Sequence, residues 1–215
     1  MAKPALAERE PPEVGSAPES EKRRQILEGA REVFLARGFD AASMGDIAAA
    51  AGVSKGTLYV YFENKQTLFA ALVAEQCRQT AERAFVLSND DQDARGALIK
   101  LGKSFIDGLT RPQHVATIRI VTAVAGKLPE LGHIFLDSGP RAGAARLSEW
   151  LRARIARGEF KIANVELAAW QFLTLCQGPV LAPVLLGGEP RPSNARIDEV
   201  VASAVDVFLA AYSRR

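Results

Sequence analysis

This chain of 215 residues contains few cysteines and histidines and has a small net charge. Each of these features excludes some classes of function. The two cysteines, Cys77 and Cys176, and the two histidines, His114 and His133, have none of the spacings of a metal site. We therefore expect no metal and no cofactor. The cysteines are expected to be reduced structural thiols of a cytoplasmic protein, with a redox-sensing pair as the alternative.

The sequence also lacks long runs of β-branched residues, while Ala and Leu are abundant. This composition predicts an all-α fold that is large enough for a sizeable core. When the polar residues are placed on helices, no Ser/His/Asp triad and no carboxylate pair remains, so we do not expect an enzyme. A formal net charge of +2 does not by itself indicate a nucleic-acid partner, so the position of the basic residues has to be considered instead.

Residues 1–20 contain Pro11, Pro12 and Pro18 and have mixed charge without an apolar run. This pattern is not that of a signal peptide, and it predicts a disordered tail. A basic cluster at 22–24 follows at the start of the first predicted helix.

The segment from Ser43 to Phe69 predicts two short helices, a tight turn between them and the start of a third helix. Ser43 and Asp46 have capping-box spacing, and Gly52 can end the first helix in the left-handed conformation. Ser54 is placed to cap the second helix and Asn64 to cap the third. Two helices joined by a short turn that contains Gly are the signature of a helix-turn-helix.

The second helix of such a motif enters the major groove of DNA, and its outward side chains suit that role. Lys55 can reach a phosphate or a guanine edge, and Thr57 can offer a hydroxyl to a phosphate and a methyl to thymine. The hydroxyls of Tyr59 and Tyr61 can reach phosphate oxygens. Lys65, beside the free amides at the start of the third helix, predicts a further phosphate site.

This segment resembles the DNA-binding domain of the TetR family of bacterial regulators. The residues that carry the resemblance include Gly38-Phe39, Ile47-Ala48, Ala51-Gly52-Val53-Ser54, Gly56, Leu58-Tyr59, Tyr61-Phe62, Lys65 and Leu68-Phe69. It implies a DNA-binding domain at 21–66 whose contact residues are Lys22, Ser43, Lys55, Gly56, Thr57, Leu58, Tyr59, Tyr61 and Lys65. Of these, Lys55, Thr57 and Leu58 are expected nearest to the bases. Gly45 departs from the pattern, because most relatives carry a better helix former there.

Further helices are predicted in the rest of the chain. The Asn64 helix is expected to continue to Leu87, with a polar break at 88–93. Helices should then follow at about 91–110, 112–126, 130–138, 140–157, 164–186 and 194–213, with Pro112, Pro129 and Pro140 at helix starts. The run around 119–131, together with Gly139-Pro140 and Gly158-Glu159, is similar to the AefR-like branch of the family. The resemblance implies a ligand-binding and dimerisation domain at 67–215 whose last two helices pair with their copies in a homodimer.

No charged residue occurs between Leu167 and Gly188, a length that could span a bilayer. The polar Gln171, Thr174 and Gln177 within it favour a helix buried in a core or interface instead. We therefore expect no membrane association.

Aromatic and amide side chains of the middle helices could line a mostly apolar cavity, although most of them could equally fill the core. The candidate ligand-binding residues are Phe105, Val121, Phe135, Trp150, Trp170 and Gln171. Because no buried ionic partner is evident, a neutral or lipophilic effector is expected. The sequence thus predicts a homodimeric, ligand-responsive regulator, more often a repressor in this family, on a palindrome in double-stranded DNA. The alternative is a helical small-molecule or lipid-binding protein with a vestigial motif.

Overall fold

The computed structural model of the chain describes residues 17–84, 87 and 93–214, and within these ranges the fold is all-α, as predicted. The helices are α1 (Ala17–Ala41), α2 (Met44–Ala50), α3 (Lys55–Tyr61), α4 (Lys65–Ala84), α5 (Ala94–Leu109), α6 (Pro112–Val124), α7 (Pro129–Leu136), α8 (Ala142–Ala156), α9 (Val165–Leu185) and α10 (Asn194–Tyr212). A π-helical turn, Asp137–Arg141, joins α7 to α8.

Helix α1 begins at Ala17, inside the segment that the sequence predicts to be a disordered tail. Residues 1–16 of that tail and residues 88–92 of the predicted polar break lie outside the described residues. Helix α4 is described up to Ala84, residues 85 and 86 lie outside the described residues, and Leu87, the predicted end, is not helical.

Local capping determines most of the helix ends. Ser43, Ser54 and Asn64 accept hydrogen bonds from the backbone amides of Asp46, Thr57 and Thr67, so the three predicted N-caps are confirmed. Pro112 and the proline that starts α7 occupy first-turn positions, where the missing N–H costs no helical hydrogen bond.

The prediction that Pro140 starts a helix is wrong. Pro140 lies inside the π-helical turn, and the chain passes from α7 into α8 without a break. The wider π turn accommodates the proline ring and its missing donor without ending the helical path. The turn packs on α4, because a Cβ atom built on Gly139 would lie 3.1 Å from the sulfur of Cys77.

The N-terminal helices pack around three aromatic rings. The ring centroids of Phe34 and Phe69 are 4.9 Å apart, and those of Phe39 and Phe69 are 5.3 Å apart. The same apolar cluster continues through α4 to Val121 and Leu131 of the following helices. The first turns of α4 therefore belong to the core that supports α2 and α3, although they lie beyond the domain boundary expected at 66.

A second core is formed by α5, α8, α9 and α10. The rings of Phe172 and Phe208 meet edge to face, with centroids 5.4 Å apart. Arg154 is fully buried in the second core. Its guanidinium lies 2.8 Å from a carboxylate oxygen of Glu159 and 4.7 Å from the centre of the Trp150 ring. The contact between Phe172 and Phe208 holds α9 and α10 side by side, which positions the surfaces described below.

Candidate DNA-binding surface and effector cavity

Helices α2 and α3 are joined by the predicted tight turn. Gly52 has φ +62°, in the left-handed region, and the amide of Val53 donates to the carbonyl oxygen of Ala48 at 3.0 Å. Helix α1 crosses closely behind the turn, because a Cβ atom on Gly29 would lie 2.5 Å from the backbone nitrogen of Ala51. The motif is thus held against α1 at one point of backbone contact.

A glutamine also ties this turn to α1. The Nε2 atom of Gln25 donates to the carbonyl oxygen of Ala51 at 2.7 Å. Its Oε1 atom accepts from the Nζ atom of Lys22 at 2.9 Å. Lys22, a predicted DNA contact, is half-buried at the edge of the turn and is linked to it through the side chain of Gln25.

One side of α3 faces outward, and we call Lys55, Gly56, Tyr59 and Val60 the recognition face. Tyr59 is 52% exposed and Val60 is 84% exposed. Val60 is not among the contacts predicted from the sequence, although its position four residues after Gly56 places it on the same side of the helix. An exposed isopropyl group beside a tyrosine and a lysine can contact a thymine methyl.

The glycine that departs from the family pattern lies under the lysine of the recognition face. A Cβ atom on Gly45 would be 3.1 Å from Cε and 3.3 Å from Nζ of Lys55. The bare backbone of α2 therefore leaves room for the Lys55 side chain to lie across it. A larger residue at 45 would displace the lysine from this position.

Two of the predicted base contacts are changed by the structure. Leu58 is 0% exposed and packs in the N-terminal core, so its side chain is not available to contact the bases. Thr57 is half-buried, and its hydroxyl oxygen lies 2.8 Å from that of Ser54. Tyr61 is half-buried against the same core, with less reach than Tyr59.

Lys65 is placed differently from the predicted phosphate contact. Its Nζ atom donates to the carbonyl oxygens of Phe39, Asp40 and Ala42 at 2.6, 3.0 and 2.9 Å. An ammonium group has three protons, so all of them are used at the C-terminal end of α1. The ammonium of Lys65 therefore serves as a cap in this structure, and the predicted phosphate contact would have to replace one of these hydrogen bonds.

Ser43 is exposed, but its hydroxyl is already engaged. It donates to the carboxylate of Asp46 at 2.6 Å and accepts from the backbone amide of the same residue at 3.1 Å. This hydrogen bond, together with the Arg37 guanidinium 2.9 Å away, holds the pKa of the Asp46 carboxyl below its usual value. A phosphate contact from Ser43 would require its proton to turn away from Asp46.

A cavity of about 280 Å³ lies in the larger domain. Its lining consists of Cys77, Thr80, Ala81, Phe105, Leu109, His114, Phe135, Leu136, Gly139, Pro140, Gly143, Trp170, Leu173 and Gln177. Three of the residues expected at a ligand site, Phe105, Phe135 and Trp170, are among them. The lining is mostly apolar with a few polar groups, which is typical of small-molecule sites.

The other three predicted ligand residues do not line this cavity. Val121 is buried in the N-terminal core, where it supports the motif. Trp150 is buried beneath the guanidinium of Arg154 in the second core. Gln171 is exposed on the outer side of α9, where its Oε1 atom accepts a hydrogen bond from the Tyr212 hydroxyl.

The most distinctive polar group of the cavity, His114, is not among the ligand-binding residues predicted from the sequence. This residue is 7% exposed, and burial lowers the pKa of its imidazole to about 4. Cys77 also lines the cavity, and burial raises the pKa of its thiol to about 12. Burial has the same effect on the pKa of the free thiol of Cys176, so both thiols are held in the unreactive protonated form.

A second opening lies between α9 and α10 on the outer surface, and we call it the α9–α10 groove. It has a volume of about 660 Å³ and is lined mainly by apolar side chains. Leu167, Leu175 and Val207 are exposed along it. By length and composition α9 could cross a membrane, but its inner side packs in the second core, as in a core helix. The predicted burial of this helix is therefore confirmed on its inner side, and its outer side is open.

Both parts of the chain match known families. Residues 26–72 match the family described as "Bacterial regulatory proteins, tetR family", and residues 96–214 match "AefR-like transcriptional repressor, C-terminal domain". A solved TetR-family regulator of Mesorhizobium loti is 26% identical, with a TM-score of 0.86 over 93% of this chain and 100% of that one. The structure named Flavonoid-responsive Regulator FrrA is 31% identical, with a TM-score of 0.80 over 91% of this chain and 99% of that one.

A further relative is the HTH-type transcriptional activator FasR of Mycolicibacterium smegmatis. It is 32% identical over 147 residues, which cover 60% of this chain and 66% of FasR. These relatives are transcriptional regulators rather than enzymes. The match at 96–214 alone covers more than half of the chain, and the likeness of fold extends over 93% of it. The chain belongs to the TetR family of bacterial helix-turn-helix transcriptional regulators, with a C-terminal domain of the AefR-like type.

Proposed function

We propose that this protein is a homodimeric repressor that binds a palindromic operator and responds to a small lipophilic effector. The observation that carries the proposal is the recognition face of α3. Lys55, Tyr59 and Val60 stand outward on a helix whose inner side is anchored by the fully buried Leu58. A rigid helix that presents a cation, a phenol and an apolar group suits the major groove.

Different residues of α3 contact different parts of the DNA. Lys55 and the hydroxyl of Tyr59 bind phosphates, which position the helix without reading sequence. Val60 and the methyl of Thr57 read thymine methyl groups in the groove. Gly56 allows the backbone of α3 to approach the DNA closely, since it presents no side chain.

The α9–α10 groove supports the dimer. Exposed Leu167, Leu175 and Val207 form an apolar strip that a monomer leaves in water, and such strips mark interaction sites. A second copy that packs the same strip against it, in a two-fold arrangement, would cover both. The two recognition helices then meet successive major grooves about 34–36 Å apart on a palindrome.

The cavity adjoins α4, the helix that connects it to the helix-turn-helix motif. Cys77, Thr80 and Ala81 of its wall belong to α4, which begins directly after α3. The hydroxyl of Thr117 on α6 lies 2.5 Å from the Oε1 atom of Gln76 on α4. A ligand that moves α6 or the π-helical turn would therefore move α4 and change the spacing of the recognition helices, with a coupling of about 1–3 kcal/mol.

The ligand class is supported by the apolar lining and by one relative. FrrA is described as flavonoid-responsive, so flavonoids are the first compounds to screen against this chain. A neutral or lipophilic effector agrees with the aromatic walls formed by Phe105, Phe135 and Trp170.

Selection of bound DNA from a random pool, at near-physiological salt, tests the proposal. We expect one palindrome whose half-site centres lie about one helical turn apart. Tyr59→Ala should weaken binding to all sequences alike, while Val60→Ala should change the preferred base at one position of each half-site. Recovery of no consensus would instead favour the alternative, a ligand-binding protein with a vestigial motif.

A further inference from the structure

His114, which lines the cavity, has a buried polar atom that the described residues leave without a partner. It lies in the first turn of α6, 93% buried, with its ring centroid 6.4 Å from that of Phe135. Its Nδ1 atom is buried and has no hydrogen-bond partner within the described part of the chain. Buried polar atoms are nearly always paired, so an unpaired one in the wall of a cavity indicates that the partner comes from a ligand.

The protonation state of the His114 imidazole limits which chemical groups can be its partner. Burial lowers the pKa of His114 to about 4, so the imidazole is neutral near pH 7. A neutral imidazole has one donor nitrogen and one acceptor nitrogen, and a hydroxyl group can pair with either because it both donates and accepts. A carboxylate could accept from the N–H of the neutral ring, but an apolar cavity disfavours it because burying its charge costs free energy.

The size and lining of the cavity restrict the rest of the ligand. An apolar cavity of roughly 150 Å³ holds one benzene ring, and this cavity is nearly twice as large at about 280 Å³. The aromatic side chains of Phe105, Phe135 and Trp170 line it. Offset or edge-to-face contacts with such walls favour a flat aromatic ligand of about two rings.

We propose that the effector is an uncharged, hydroxylated aromatic molecule of about two rings whose hydroxyl hydrogen-bonds to Nδ1 of His114. This inference rests on the proposed ligand-responsive function and adds the chemical class of the ligand and its anchoring residue. The amide of Gln177 and the hydroxyl of Thr80, also in the wall, are available to further polar groups of the ligand.

A pair of matched probes tests the hydroxyl. Binding of 2-naphthol and of 2-methylnaphthalene, which has a methyl in its place, is measured by equilibrium dialysis against the full chain and against His114→Phe. We expect that the ratio of the two dissociation constants changes about tenfold between the proteins, because the variant loses only the hydrogen bond to the hydroxyl. An unchanged ratio, or tighter binding of 2-naphthoate than of 2-naphthol to the wild type, would overturn the proposal.

Nuclear magnetic resonance of the wild type supplies a readout that does not depend on the folding of a variant. The chain contains only two histidines, so ¹⁵N labelling of the rings produces two sets of signals, with the exposed His133 as an internal reference. Saturation with 2-naphthol should shift the Nδ1 signal of His114 and leave His133 unchanged. An unshifted His114 would contradict the inference, while the DNA selection described above would still decide the regulatory function independently.

Discussion

The ammonium of Lys65 lies 2.6 Å from the carbonyl oxygen of Phe39 and 4.6 Å from the centre of the Phe39 ring. This contact closes the C-terminal end of α1 just after Gly38, whose φ of +73° breaks the helix. One side chain therefore holds the first helix of the domain to the start of α4. The position that family resemblance assigns to DNA contact is occupied here by a structural cap.

Replacement of Lys65 should reduce stability rather than phosphate contact. We expect Lys65→Met to lower the free energy of unfolding by about 2 kcal/mol, because the charged group no longer donates hydrogen bonds to three carbonyl oxygens. The dependence of operator binding on salt should keep its slope, since no phosphate charge is neutralised by this residue. Urea denaturation and binding titrations at several salt concentrations measure the two effects.

Lys55→Met is the matched control with the opposite expectation. Lys55 is exposed on the recognition face, and we expect the free energy of unfolding to change by less than about 0.5 kcal/mol. The slope of log binding constant against log salt should decrease in magnitude by about 0.9 if Lys55 neutralises one phosphate. A reduced slope for Lys65→Met with unaltered stability would reverse the roles assigned to the two lysines.

The close approach of α1 to the turn makes Gly29 intolerant of a side chain. A Cβ atom there would lie 2.5–2.7 Å from backbone and Cβ atoms of Ala51, which cannot move without displacing the motif. We expect Gly29→Ala to destabilise the protein by about 3 kcal/mol, measured by thermal unfolding. Gly56→Ala is the control, because its Cβ atom would meet only the Ser54 hydroxyl at 3.8 Å.

Gly56→Ala should leave stability unchanged or raise it by up to about 1 kcal/mol, since alanine favours the helix. Operator binding should nevertheless weaken, because the new methyl group stands on the recognition face. Full operator affinity in a stable Gly56→Ala protein would show that the backbone of α3 does not approach the DNA closely.

The buried imidazole of His114 should make stability depend on pH. The unfolded chain binds this proton at the ordinary pKa of 6.5, whereas the folded protein binds it only near 4. The free energy of unfolding therefore falls as pH is lowered from about 6.5 to 4, by about 2 kcal/mol between pH 7 and 5. His114→Gln should abolish this part of the pH dependence and His133→Gln, at an exposed position, should retain it; equal profiles for the two variants would contradict the assignment.

The exposed strip of the α9–α10 groove should control assembly. Val207 is 51% exposed, and Val207→Glu would place a charge in the proposed interface, where it has no partner. We expect dimers to dissociate in sedimentation velocity experiments and operator affinity to fall steeply. Leu35→Glu, a similar change at an exposed leucine of α1, should leave the dimer intact, so dissociation in both variants would point to a general loss of folding.

Local sequence signals determined the helices of this protein and most of their ends. Ser43 and Ser54 cap helices because their hydroxyls accept amides within the same turn, and Pro112 suits a first turn because it lacks an N–H. Such interactions span three or four residues, so they can be predicted from spacing. The helix-turn-helix and its family resemblance depend on the same short-range pattern.

The tertiary structure decided the role of individual side chains. The three carbonyl partners of Lys65 lie more than twenty residues earlier in the chain, so spacing along the sequence could not identify them. Three residues of types that are common at ligand sites, Trp150, Val121 and Gln171, do not reach the cavity. The packing angles of their helices turn them towards the two cores or the outer surface.

His114 is the converse case, because it lies in the cavity wall although no pattern in the sequence indicates a ligand site there. In the sequence it is an isolated histidine with no ligand-like neighbour. Its burial, its lowered pKa and the lack of a partner for its Nδ1 atom among the described residues arise only where α6 packs against the cavity wall. Periodicity predicts which residues share a face of a helix, but desolvation and hydrogen-bond pairing depend on which other helix covers that face, and that is settled by long-range packing.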